Sequence, residues 1–212
     1  VSAVSLSGEG DRSGALAVST APAAVAGLDS TLQTTSSISL SWDALVASGG
    51  EDVTGYKVYR TDGSGGTDHS IVGYDGSGLI SAAGIVLELE GGREYSFVAS
   101  GLSLAGEGDV SAVPLLQSTS PGAPTLLSSV LQTTSSITLE WVAPVIVGGE
   151  EVTKYVVYMD DGSGPDAAVS TEVYRGAAST YEKSELVGGR SYKFQVSALS
   201  LAGEGDRSST LA

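Results

Sequence analysis

Four carboxylate pairs are the residues of this chain best placed to do chemistry: Glu51 with Asp52, Glu107 with Asp109, Glu150 with Glu151, and Glu204 with Asp206. Two pairs brought together would supply much of the shell of a calcium ion, which takes about 6–8 oxygens. None of the pairs has the D-x-D-x-D-G spacing of a dedicated calcium loop. Solvated loop acids are therefore the simpler expectation, with calcium kept as a candidate ligand and no other cofactor expected. Nucleophilic catalysis has less support. The single histidine, His69, stands in a Gly/Asp/Ser-rich stretch, and a base of that kind works only when a partner orients it. It is expected to be an exposed loop residue. No Gly-x-x-x-x-Gly-Lys cradle for phosphate is present. Paired carboxylates for glycoside hydrolysis need a groove between them. The chain is expected not to be an enzyme.

Composition narrows the choice further. There are no cysteines, which removes disulfides, thiolate chemistry and cysteine zinc sites. The net charge is −15, with only ten Lys plus Arg. No basic stripe exists to hold a phosphate backbone, so nucleic acid is not an expected partner. The longest apolar stretch, around Leu79–Leu89, is broken by Ser, Gly and Glu and is too short to span a bilayer. The acidity fits solubility and mutual repulsion between copies.

The elements that must position these residues are written twice. TLQTTSSISLSW ends at Trp42 and VLQTTSSITLEW ends at Trp141, 99 residues later. SLAGEGD occurs at Ser103–Asp109 and Ser200–Asp206, and SLSGEGD at Ser5–Asp11. A period near 100 exceeds that of solenoid repeats, roughly 20–50 residues, and matches one β-sandwich. Within each copy, short runs alternate. Ile38, Leu40 and Trp42 interleave with Ser39 and Ser41, and Ile137, Leu139 and Trp141 with Thr138 and Glu140. Such a period of two describes a strand with one face in a core. Tyr56-Lys57-Val58-Tyr59 and Tyr155-Val156-Val157-Tyr158 follow, then Asp-Gly-Ser-Gly at Asp62–Gly65 and Asp161–Gly164, residue types that a turn demands.

This set resembles the fibronectin type III module over essentially the whole chain. The resemblance rests on Trp42, Tyr56 and Val58, then Leu89-Glu90-Gly91-Gly92-Arg93-Glu94-Tyr95. In the second copy it rests on Trp141, Tyr155 and Val157, then Leu186-Val187-Gly188-Gly189-Arg190-Ser191-Tyr192. The Leu-to-Tyr spacing is similar to a tyrosine corner, whose hydroxyl bonds back to the backbone. The family's Pro and Thr in this stretch are Gly and Arg here. The resemblance implies an all-β fold of tandem seven-stranded antiparallel sandwiches, fibronectin type III or immunoglobulin-like. Residues 1–20 would be the sixth and seventh strands of a preceding truncated repeat, and 21–118 and 119–212 two full domains. It also brings the second-to-third and sixth-to-seventh strand loops to one end, setting Glu51 and Asp52 near Glu107 and Asp109, and Glu150 and Glu151 near Glu204 and Asp206. Calcium there would stiffen the junction with the preceding domain.

Trp42, Trp141, Phe97 and Phe194 are expected in the core. Tyr59, Tyr74, Tyr158 and Tyr174 are expected to face outward as contact aromatics. The sixth-to-seventh loop reads Gly-Glu-Gly-Asp, so integrin binding through Arg-Gly-Asp does not carry over. Short linkers near Ser19–Pro22 and Ser118–Pro124 imply a semi-rigid rod. The expected role is structural: a segment of a long filament, surface appendage or adhesive stalk, extracellular or on the cell surface. Its partners would be other copies or neighbouring repeats of the same protein and other surface proteins. Two other roles stand beside this one, a protein-binding scaffold module inside or outside the cell, and spacer domains of an extracellular polysaccharide-degrading enzyme.

Overall fold

The structure, a computed structural model, describes residues 1–212 except Ala15, Ala17 and 47–49. Every regular element among the described residues is a β-strand. A first hairpin pairs β1 (Val4–Ser5) with β2 (Gly8–Glu9). The first sandwich then uses β3 (Asp29–Gln33), β4 (Ile38–Ser41), β5 (Val53–Arg60), β6 (Ile71–Ser77), β7 (Ala83–Val86), β8 (Glu94–Ser103), β9 (Gly106–Glu107) and β10 (Leu115–Ser118). The second uses β11 (Thr125–Gln132), β12 (Ile137–Val142), β13 (Lys154–Met159), β14 (Thr171–Gly176), β15 (Thr180–Lys183), β16 (Phe194–Ser200) and β17 (Gly203–Glu204).

The sheets repeat one another except at the last strand, where β10 of the first sandwich has only the isolated bridge of Leu211 to Phe194 as its counterpart in the second. In the first sandwich β3-β4-β7 faces β10-β8-β5-β6, with β9 also paired to β8. In the second, β11-β12-β15 faces β14-β13-β16-β17. All these ladders are antiparallel. The alternation in the sequence decides which side faces in. Ile38 and Leu40 are fully buried while Ser39 and Ser41 between them are not. Each sandwich closes over its own core. Trp42, Tyr56, Val58 and Phe97 lie in the first, and Trp141, Tyr155, Val157 and Phe194 in the second. The tryptophan rings lean on Tyr56 at 5.4 Å and Tyr155 at 5.5 Å, within the range where aromatic pairs add to burial.

The corner is formed in both copies. The Tyr95 hydroxyl accepts from the Glu90 amide at 2.9 Å, and the Tyr192 hydroxyl from the Val187 amide at 3.0 Å. Gly-Arg in place of Pro-Thr leaves this bond intact. The Asp-Gly-Ser-Gly segment serves the corner as well as turning the chain. Gly63 (φ +79°) and Gly162 (φ +65°) lie flat against the corner rings, where a Cβ would stand 2.6 Å from Tyr95 and 2.4 Å from Tyr192. Only glycine meets the backbone and steric demands together.

The β1–β2 hairpin copies the end of each sandwich. Val4 pairs with Glu9 as Leu102 does with Glu107 and Leu199 with Glu204. The Ser13 amide donates to the Val1 carbonyl as Ser111 does to Ala99 and Ser208 to Val196. Val1, whose counterparts Ala99 and Val196 are fully buried, is itself fully exposed.

Candidate functional site

On the outer face of each large sheet a tyrosine, a glutamate and a serine form one hydrogen-bonded group. In the first domain Glu107 Oε1 accepts from the Tyr59 hydroxyl at 2.6 Å and from Ser100 Oγ at 2.5 Å, with Lys57 Nζ 3.6 Å from Oε2. In the second, Glu204 Oε1 accepts from Tyr158 at 2.6 Å and Ser197 at 2.5 Å, with Arg175 4.0 Å from Oε2. The cation comes from a different strand each time. Lys57 is opposite Asp75 on β5 and β6, whereas Val156 is opposite Arg175 on β13 and β14. A charge has crossed the ladder, and the glutamate keeps its partner.

The electrostatics follow from these bonds. Burial pushes the Tyr59 hydroxyl up to about 12, helped by its bond to Glu107 and that group's negative charge. Burial works against ionised Glu107. The Ser100 and Tyr59 hydroxyls and Lys57 outweigh it and hold the carboxyl below the ordinary range. Tyr158 is raised by burial and by Glu204, and Arg207 opposes that rise.

These contacts occupy two of the eight candidate calcium ligands, Glu107 and Glu204. Asp206 accepts from Thr35 Oγ1 of the first domain at 2.7 Å. Glu51, Asp52, Asp109, Glu150 and Glu151 are exposed. Among the described residues no three or more acidic or histidine side chains come close enough to hold a metal ion, so the expected four-carboxylate ends are not assembled. The physical reason is local: the glutamates in β9 and β17 bond to tyrosine and serine on the sheet.

The four tyrosines also divide. Tyr59 is half-buried with one side on an open groove; Tyr158 is only 8 % exposed. Tyr74 and Tyr174 face inward, with Trp42 at 6.1 Å and Trp141 at 6.3 Å. A bulge explains the correction. The register slips between Val58 and Tyr59, and between Val157 and Tyr158. That slip pairs Tyr74 with buried Val58 and Tyr174 with buried Val157, and directly paired residues share a face. His69 is likewise half-buried, and its Nε2 lies 2.8 Å from Ser96 Oγ.

A site that sequence reasoning missed lies between the domains. Thr119 and Ser120 are each 1 % exposed although they belong to the linker. The Gly92 amide donates to the Ser120 carbonyl at 2.9 Å, the Ser120 amide to the Thr34 carbonyl at 3.0 Å, and the Thr119 amide to the Arg93 carbonyl at 3.0 Å. These bonds sew the linker to the first domain. Ser120 Oγ donates to the Ala202 carbonyl of the second at 2.9 Å. Directly across, the Val147 amide reaches the Gly92 carbonyl at 2.8 Å. Gly92 (φ +73°) leaves room for the Ile146 side chain, which a Cβ there would meet at 2.7 Å. The available sequence signal was Gly-Gly in place of Pro-Gly at the corner.

A family model, fibronectin type III domain, matches residues 122–212. The second sandwich is a fibronectin type III domain. The first repeats its strand order, its register and its tyrosine corner, so the chain carries fibronectin type III domains in tandem. The chain is also similar to chitinase A1 of Niallia circulans, 33% identical over 193 residues, which is 87% of this chain and 24% of that relative. It thus spans about a quarter of that curated protein. Among solved structures it is similar to a two-domain fibronectin type III segment of chicken tenascin, at TM-score 0.43 and 21% identity, covering 88% of this chain and 98% of that one. It is similar too to the FN1-FN3 domains of chicken CNTN1, at TM-score 0.42 and 16% identity, covering 90% and 65%.

Proposed function

We propose that this chain is a rigid spacer: two fibronectin type III domains held end to end at a set angle, within an extracellular or cell-surface protein. The observation that carries the reading is the buried, hydrogen-bonded linker. Domains in one chain move relative to one another by default unless their interface restrains them. Here Ser120 bonds to both neighbours through three separate groups, its amide, carbonyl and hydroxyl. A freely flexing linker would leave those groups to water. Near-identical copies of one stable unit suit a role that requires length and no chemistry of its own, as in a stalk, appendage or filament.

A second reading is favoured by the likeness to chitinase A1. The spacer would hold apart the catalytic and other domains of an enzyme acting on an insoluble polysaccharide outside the cell. Both readings need stiffness. Amide-nitrogen relaxation of the chain tests it, with both domains expected to tumble under one anisotropic diffusion tensor. Two different tensors, each near that of a lone domain, would refute the rigid-spacer reading.

A further inference from the structure

The two domains differ at one position in the repeated Gly-Glu-Gly-Asp turn. The first continues Asp109-Val110-Ser111, the second Asp206-Arg207-Ser208, and the leading hairpin Asp11-Arg12-Ser13. Val110 and Arg207 are structurally equivalent, because the serines after them do the same work. Ser111 Oγ accepts the Ala99 amide and Ser208 Oγ the Val196 amide. In the second domain the Arg207 guanidinium lies over the Tyr158 ring, 3.5 Å from its centroid, and Nη1 donates to the Val169 carbonyl at 2.8 Å. This is a cation held on an aromatic face, beside the Glu204 carboxylate that the same tyrosine contacts. It leaves Tyr158 buried.

The first domain keeps the tyrosine and glutamate of this seat and lacks the arginine. Tyr59 and Glu107 make the same bond. Where Arg207 would lie there is a solvent-open groove of about 530 Å³, lined by Tyr59, His69, Val98, Glu107, Val110 and Pro114 among others. Lys57 does not pre-empt the seat. Its counterpart cation Arg175 stands at the corresponding distance from Glu204, and Arg207 is seated all the same.

We infer that the groove over Tyr59 is a binding site for a guanidinium group, the side chain of an exposed arginine on a partner protein. The second domain carries its own copy of that ligand, which shows what the seat accepts and closes it to others. Arginine is selected over lysine because a planar guanidinium stacks on a ring and still presents an N–H edge to an acceptor, as Arg207 does to the Val169 carbonyl. The net charge of −15 draws any cation to the surface, so the planar stack is what separates this site from general attraction.

The test titrates the chain with N-acetyl-arginine amide and, separately, N-acetyl-lysine amide at constant ionic strength, following the tyrosine ring resonances. The arginine probe is expected to shift Tyr59 saturably, with at least a several-fold preference over the lysine probe, and to leave Tyr158 unmoved. Val110→Arg, at a position 44% exposed, should supply the ligand internally and abolish the Tyr59 response. Arg207→Val should create a second saturable response at Tyr158. Equal shifts from both probes, a Tyr59 response that survives Val110→Arg, or a Tyr158 silent after Arg207→Val would each overturn the inference.

Discussion

Tyr59 and Glu107 tie their domain's stability to pH at both ends of the scale. Tyr59 keeps its proton up to about 12 in the folded state, against about 10 for an unfolded tyrosine. The folded chain therefore binds the proton more tightly. The stabilisation is complete below pH about 10 and is lost as pH rises from there towards 12. Glu107 has the opposite sign. Its carboxyl is held below the ordinary range, so its contribution is present above the unfolded value and disappears as acid protonates it. The Tyr59 ring resonances should titrate near 12, and Glu107→Gln should move that titration back towards the ordinary value. A normal titration of Tyr59 in the parent chain would contradict the bond. A second residue-scale prediction concerns Gly63 and Gly162. Alanine at either should cost its own domain about 2 kcal/mol, since it adds positive-φ strain to a clash with the corner ring. The denaturation midpoint of that domain reports it, while the other should shift far less.

Among the elements, what the sequence made legible was local. Ile38, Leu40 and Trp42 declare their face by spacing alone, and Leu89 to Tyr95 declares a corner by spacing and residue type. The inward turn of Tyr74 and Tyr174 was not legible. It depends on a bulge, and one slipped residue reverses every side chain beyond it. The covering of Tyr158 by Arg207 was hidden for another reason, because the two meet only when β13 and the segment after β17 pack across one sheet. The gathering of four acids at each domain end was misplaced on similar ground: it was read from the loops, whereas Glu107 and Glu204 bond to tyrosine and serine on the sheet. The leading hairpin follows its sequence copies in register, yet none of the described residues among 1–20 joins either hydrophobic core. Deleting Val1–Thr20 should leave both domains with their melting transitions, each within a few degrees of the parent. Loss of either transition would show that the hairpin supports a core from outside it.

At the scale of the molecule, the proposed rigid spacer rests on the junction between the two repeats. Each bond in it is modest, about 1 kcal/mol net, but they share one buried linker and two rigid corners, so opening the junction breaks them together. Gly92, Ser120 and Ala202 come from three separate stretches of the chain, which is why repeat spacing alone predicted a short linker and could not predict its burial. The cysteine-free chain accepts spin labels cleanly at Ile85→Cys on β7 and Glu182→Cys on β15, both exposed strand positions. The dipolar distance distribution between them tests rigidity directly. A single narrow peak, broadening when Ser118–Pro121 is replaced by Gly-Ser-Gly-Ser, is the predicted result. A parent distribution already as broad as that of the replaced linker would contradict the rigid spacer.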